Sequence, residues 1–396
     1  MSWDRASQSP FGLTNAVPRI ERAEYAQRRQ RLAASLAKAN LDGAVIWSRG
    51  GTATDRAGYG IYLANYYSPF FAGLDDFPPH FSARGYNAVV VMADGQATLV
   101  TDMNLYDKSE VARAIDDVVH DFNVPRGIAR TLRKFGMSKR KLGIIGSEIL
   151  PLSLYDQLRH ELPGVTWETV NDLLVDQMMI KSPAELEIIR YGNSAAMEVS
   201  ELVFEAAQRQ GVTGQDLNIL TQRELAIRGC ALSWMRPNST DSLKPGAIYT
   251  QAVIGWCGGY FFDLGRSRVV QGKPSAKQQE LLDLLAEYIR RQCDALKPGR
   301  TFGEASRVGA KYFMEERCEF TRDEFEAGIL GGFACYGHGL GLKWGKPYLR
   351  EEETIVIQPG MYVQVEAVYG GATTGMSEAE VGVEITNEGA RLLTKP

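Results

Sequence analysis

The sequence predicts two folded units, an α/β domain over residues 1–170 followed by a domain of long helices and paired strands over residues 171–396. Three observations carry that prediction. The chain has 396 residues, more than a single core commonly fills. Short apolar runs alternate with helical segments through roughly the first 165 residues, the pattern of an α/β domain. A new helix then opens at Ser182-Pro183-Ala184-Glu185. There Ser182 caps, Pro183 suits the first helical position, and Glu185 completes a capping box.

The elements follow in order. Residues 1–20 are polar and contain proline, so they read as an arm. Glu24–Asn40 places Leu and Ala at helical spacing among charges and ends before Asp42-Gly43, which predicts a helix. Ala44–Trp47 is a short apolar strand. Tyr86–Met92 and Gln96–Thr101 flank Ala93-Asp94-Gly95, a hairpin signal. Leu142–Ile145 reads as a strand and Ser153–Glu161 as a helix. The switch between domains falls near Trp167–Ile180. The helix from Pro183 runs towards Gln210 and stops at Gly211. Further helices cover Gly214–Arg228 and Ser275–Leu296, the latter ended by Pro298-Gly299. Strands are expected at Ala252–Gly255, Tyr260–Val270, Met361–Tyr369 and Val381–Thr386.

Composition narrows the function. The net charge is -4 and the Lys and Arg residues are scattered, so the chain lacks the basic stripe that nucleic-acid binding needs. The N-terminus is polar, without the apolar segment of a secretory signal. The longest apolar stretches, such as Ala88–Met92, are far too short to span a membrane. Cys230, Cys257, Cys293, Cys318 and Cys335 form no CxxC motif, which fits reduced, buried thiols and a cytoplasmic location.

Four polar residues stand where packed strands or an apolar loop would not place them. Asp263 follows Tyr260-Phe261-Phe262. Glu366 ends the run Met361–Val365. Glu380 leads into Val381–Ile385. His338 lies inside Gly337-His338-Gly339-Leu340-Gly341. A carboxylate buried without a partner is strongly unfavourable, so these acids must be paired or bind a cation. Alternation along a strand puts Tyr362, Gln364 and Glu366 on one polar face, and Glu380 and Glu384 on another. Three carboxylates and an imidazole suit Mn, Fe, Co or Zn. The glycines around His338 allow a tight backbone there. On composition alone, solvated strand-end acids and a loop histidine are the competing reading.

Five motifs in order resemble the pita-bread family of creatinase, prolidase and aminopeptidase P. Asp263-Leu264-Gly265-Arg266-Ser267 is similar to its Asp-x-Thr-Arg-Thr segment, and Gly337–Gly341 to its Gly-His-Gly-x-Gly. Pro359-Gly360-Met361 with Glu366-Ala367 resembles the ligand strand. Glu380 with Ile385-Thr386-Asn387-Glu388-Gly389 resembles the last ligand and its hairpin. Ile180–Glu185 resembles the domain-entry helix. Asn65-Tyr66-Tyr67-Ser68 and Arg84-Gly85-Tyr86 are similar to segments of creatinase. The resemblance implies an α/β N-terminal domain, an α+β pita-bread catalytic domain, and a homodimer in which the N-terminal domain caps the partner's site.

The match is incomplete. The family's peptidases hold two metals, and their first aspartate lies eleven residues before the second. Here that count from Asp263 reaches Ala252, a methyl group. The resemblance therefore implies at most one divalent metal, on Asp263, His338, Glu366 and Glu380. Of four histidines, His80, His120, His160 and His338, only His338 belongs to the second domain.

The expected chemistry is hydrolysis of an amide or amidine C–N bond in a small polar or peptide-like substrate, with His338, Glu366 and Glu380 as catalytic groups. The alternatives are metal-free cleavage in the manner of creatinase, a lyase on the same fold, and a binding protein without catalysis. Trp234, Trp256, Tyr260 and Trp344 are candidates to box a cationic substrate head, or else ordinary core aromatics. Arg236 is a candidate partner for a substrate carboxylate. Arg84 sits where creatinase reaches substrate across its dimer, and His80 lies in a loop that could do the same.

Overall fold

The computed structural model describes residues 17–51, 56–68, 83–102, 114–317, 337–371 and 375–396. The arm over residues 1–16, His80, Cys318 and Cys335 lie outside the described residues. The chain divides into two compact units, Ile20–Met178 and Met179–Pro396, the second joined by the segment that ends at Arg19.

The first unit is built on a six-stranded sheet. Its elements are α1 (Arg22–Lys38), β1 (Gly43–Arg49), α2 (Gly58–Ala64), β2 (Tyr86–Met92), β3 (Ala97–Thr101), β4 (Asp117–His120), α3 (Val124–Lys134), β5 (Lys141–Ile145), α4 (Leu152–Glu161), β6 (Thr166–Thr169) and α5 (Asp172–Met179). The strand order is β4-β3-β2-β1-β5-β6. Strand β1 runs parallel to β5 and antiparallel to β2. Both strands of the expected hairpin are present, and Gly95 at its turn has φ +91°, a conformation glycine adopts without strain. The centre of the sheet is apolar on both faces, as covered strands are, and Val45 and Trp47 pack with Ile128, Leu132, Leu154 and Leu158. Helix α1 buries Arg28, whose guanidinium donates to the Tyr62 carbonyl and to Glu24 and lies 4.2 Å from the Tyr62 ring centroid.

The second unit contains α6 (Pro183–Ala206), α7 (Gly214–Ile227), β7 (Cys230–Arg236), β8 (Ile248–Cys257), β9 (Tyr260–Val269), α8 (Ala276–Ala295), α9 (Phe302–Lys311), β10 (Gly337–Gly339), β11 (Gly345–Tyr348), β12 (Tyr362–Gly371), β13 (Gly375–Thr386) and β14 (Gly389–Leu392). Its sheet runs β11-β10-β12-β13-β9-β8-β7, with β14 on β13. The capping box at α6 is made as expected: the Glu185 amide donates to Ser182 Oγ at 3.2 Å, and the Ser182 amide to Glu185 Oε2 at 2.9 Å. Helix α6 ends at Ala206, short of the expected Gln210, because a turn leads into Gly211 at φ +77°. Strands β8 and β9 are joined through Gly258 and Gly259, both with positive φ, the requirement of a two-residue type I′ turn. That hairpin extends β8 well beyond the expected Ala252–Gly255. Val199, Val203 and Phe204 of α6 pack on Val253, Phe262 and Leu264. Leu281, Leu285 and Tyr288 of α8 pack on Val363, Val365, Val381 and Val383. Helices thus take the apolar parity of the strands, and the polar parity is left for a site.

Candidate metal and active site

Antiparallel neighbours point to the same side of a sheet, so the register itself assembles the polar face. His338 pairs with Gln364, and Glu366 pairs with Glu380. Glu380 pairs with Gly265, two residues from Asp263 on the same face. Asp263 pairs with Ile254, Ile254 with Trp234, and Ala252 with both Gly265 and Arg236. Five strands distant in sequence therefore present Arg236, Asp263, Glu380, Glu366 and His338 to one side.

Asp263, His338 and Glu380 are all buried, and each offers a ligand atom within 4.8 Å of the others. The Asp263 and Glu380 carboxyls stand together in this trio, where a shared proton would favour the charged form of Asp263 and the neutral form of Glu380. Burial raises both well above the usual carboxylate range, and the neighbouring acids add to the shift at Glu380. Burial also lowers His338 to about 4, so its ring is neutral at pH 7. His338 Nδ1 lies 3.3 Å from the Gly339 carbonyl oxygen. A carbonyl only accepts, so Nδ1 carries the hydrogen and Nε2 keeps its lone pair. Nε2 stands 3.9 Å from Glu380 Oε1, too far for a hydrogen bond, and both atoms are buried without a partner.

These residues fit a divalent cation. Asp263, His338 and Glu380 would hold such a cation, which would satisfy both orphaned atoms and replace a proton between the carboxyls. The expected fourth ligand, Glu366, lies beside this trio. Glu366, although directly opposite Glu380, stands outside the close trio and is only half-buried. Burial and then the adjacent Glu378 push its carboxyl up to about 7.

The other expected residues divide. Trp344 stacks on His338 and is 46% exposed, which puts an aromatic wall on the open side of the imidazole. Trp234 shares the face of Asp263 and is 47% exposed. Trp256 has the same parity, two residues beyond Ile254. Tyr260 does not join them. Its strand parity is opposite to that of Asp263, and its buried hydroxyl donates to Glu185 Oε1 at 3.0 Å, a structural role at the start of α6. Arg236 is committed to Glu378, with its Nη2 on Glu378 Oε2. Arg84 belongs to the other unit, where it is exposed beside Asp102.

Sequence reasoning missed Glu378. It is buried, lies two residues before Glu380 on the same face, and raises the carboxyls of its neighbours. Its own carboxyl is raised by burial against the opposite pull of Arg236. The period-2 spacing to Glu380 was the available signal. Glu384, by contrast, leaves the site: Arg190 and Arg391 both bind its carboxylate.

Fold and site together define a pita-bread protein with a buried Asp-His-Glu cluster and a separate α/β domain before it. The chain belongs to metallopeptidase family M24, whose model matches residues 175–390, and the creatinase/prolidase N-terminal domain matches residues 28–179. It is 23% identical to a creatinase of Bacillus sp. (strain B-0618) over 384 residues, 90% of this chain and 85% of that one. It is 25% identical to an Xaa-Pro dipeptidase of Pyrococcus furiosus over 283 residues, 64% of this chain and 73% of that one. An Xaa-Pro dipeptidase from Bacillus anthracis superposes with a TM-score of 0.74 at 20% identity, covering 94% of this chain and 98% of that one.

Proposed function

We propose that the chain hydrolyses an amide or amidine C–N bond of a small polar or peptide-like substrate, with one divalent metal held by Asp263, His338 and Glu380. The observation that carries this reading is the pair of buried, unpartnered atoms His338 Nε2 and Glu380 Oε1, 3.9 Å apart beside Asp263. When bound, the metal supplies a Lewis acid and a water of lowered pKa. His338 contributes a neutral ring in a fixed tautomer, braced by Trp344. Glu366, the cross-strand partner of Glu380, would share ligand duty or take a proton from the attacking water and pass it to the leaving nitrogen in this reading. Arg236 stays 38% exposed while paired with Glu378, and its exposed part is the candidate to meet a substrate carboxylate. Trp234, Trp256 and Trp344 offer aromatic faces to a cationic head. The working form in this reading is a cytoplasmic homodimer.

A metal-free, creatinase-like reaction is the second reading. It is favoured by Ala252, buried beside Gly265 with no ligand atom, and by the match to creatinase along nine-tenths of the chain. One experiment separates the two. Purified chain is analysed for bound metal, then assayed on Xaa-Pro dipeptides and on creatine with and without excess chelator. The metal reading requires about one equivalent of metal, as one closed site would hold, and turnover that the chelator abolishes. Full turnover in chelator replaces it with the second reading.

A further inference from the structure

Two positions without functional side chains lie next to each other on the acidic face. Ala252 on β8 is the cross-strand partner of Gly265 on β9, and Arg236 on β7 is the partner of Ala252. The space above this row is filled from elsewhere. The Glu378 carboxylate stands where a side chain on Gly265 would begin, with Oε1 2.3 Å from that point. Arg236 reaches the same carboxylate through Nη2, and its Cζ lies 5.7 Å from the centroid of the Trp234 ring. The guanidinium is thus held between an anion and an aromatic face. A guanidinium forms planar, directional pairs with carboxylates. Its environment is crowded with acid, since Asp263, Glu366 and Glu380 share the face with Glu378.

We propose that Arg236 is a built-in cation of the site, which occupies the ground beside Ala252 and Gly265 and limits the acidic face to a single divalent metal ion. This rests on the metal reading above. With Arg236 paired, Glu378 is neutralised and withdrawn from metal binding. Without it, Glu378 and the neighbouring Glu366 become a free pair of carboxylates able to hold another ion.

The test is manganese uptake by the full chain, stripped with chelator, re-equilibrated with Mn²⁺, desalted and measured by elemental analysis and calorimetry. Wild type and Arg236→Lys, which keeps the charge, are expected to take one ion each. Arg236→Met is expected to take a second ion, or to hold the first about tenfold more tightly because a repelling charge is gone. Unchanged stoichiometry and affinity in Arg236→Met overturn the proposal. Two ions on the wild type also overturn it, while leaving the metal reading intact. No ion on the wild type removes the metal reading instead; uptake by Arg236→Met alone then still supports Arg236 as the blocking cation, and uptake by neither chain ends it. Should Arg236→Met fail to fold, Glu378→Gln leaves the guanidinium uncompensated and is expected to weaken the first ion about tenfold. An unchanged affinity there overturns the proposal equally.

Discussion

The indole of Trp344 lies flat on the imidazole of His338, with 3.9 Å between ring centroids and 19° between their planes. The imidazole is buried and makes one weak contact of its own, from Nδ1 to Gly339. The stack is therefore the larger part of what fixes the ring. Stacked aromatic pairs contribute about 1 kcal/mol beyond simple burial. Trp344→Ala should weaken divalent-metal binding roughly five- to tenfold by that figure, with Trp344→Phe between it and wild type. Titration with Mn²⁺ measures this, and equal affinities in all three chains would remove Trp344 from the site.

The glycines around His338 differ in what they tolerate. A Cβ on Gly337, at φ +149°, would lie 2.0 Å from the Gln364 carbonyl oxygen on β12. One on Gly339 would lie 2.1 Å from the Lys346 carbonyl oxygen on β11. Both obstacles are backbone, so β10 could not keep its pairing on either side. At Gly341 the nearest atom is the Cε of Lys181 at 3.1 Å, the end of a flexible side chain. Gly337→Ala and Gly339→Ala should each lose about 2 kcal/mol or more of stability, the usual scale of overpacking. Gly341→Ala should stay within about 1 kcal/mol of wild type. Thermal melts of the three chains decide it, and a Gly341→Ala chain as damaged as the others would show that the loop is not shaped by these contacts.

A pH effect is expected away from the Asp263, His338 and Glu380 cluster. Glu384 is buried and accepts from both Arg190 and Arg391, and these partners hold its carboxyl below the usual range. A carboxyl depressed in the fold contributes stability above its unfolded pKa, near 4.3, and loses it as pH falls through the folded value. Both arginines are over two-fifths exposed, which weakens the pair by solvent screening. Glu384→Gln should therefore cost about 2 kcal/mol at pH 7, below the range for a fully buried pair. The gap between wild type and variant should narrow as pH falls below about 4. A gap that stays constant to pH 3 would show that Glu384 is not an ionised partner in the fold.

Much of this site was written in strand parity. Asp263, His338, Glu366 and Glu380 interrupt apolar runs, and the alternation that set Tyr362, Gln364 and Glu366 on one face is the alternation the register uses. The capping box at Ser182 was equally legible, because it is closed within four residues. Tyr260 shows the cost of reading proximity without parity: it is three residues from Asp263 and faces the other way. The pairing of Glu384 with Arg190, and the commitment of Arg236 to Glu378, depend on partners 194 and 142 residues distant. No local pattern encodes such pairings. Strand β7 was missed for a related reason: Ala231 to Trp234 are all partly or fully exposed, so the segment lacks the apolar alternation that marks a strand.

The carboxyl cluster predicts opposite effects of one substitution with and without metal. In the metal-free chain Glu380 is buried against Asp263, with Glu366 and Glu378 nearby, and each of these acids disfavours its charge. Glutamine has nearly the same shape, carries no charge, and can donate an amide hydrogen to Asp263. Glu380 is ionised in the unfolded chain at pH 7 and must take up a proton on folding, whereas glutamine needs none, which relieves about 1–3 kcal/mol on the linkage scale. Glu380→Gln should therefore melt a few degrees above wild type after chelator treatment. The same substitution removes a proposed direct ligand, so metal affinity should fall by about a hundredfold or more, beyond the loss typical of an outer-shell change. With saturating metal the order of melting temperatures should then reverse, because only the wild type gains binding free energy. Melts of both chains with and without Mn²⁺ measure the crossing. A variant that melts lower in both conditions would mean that Glu380 holds the sheet together rather than a cation.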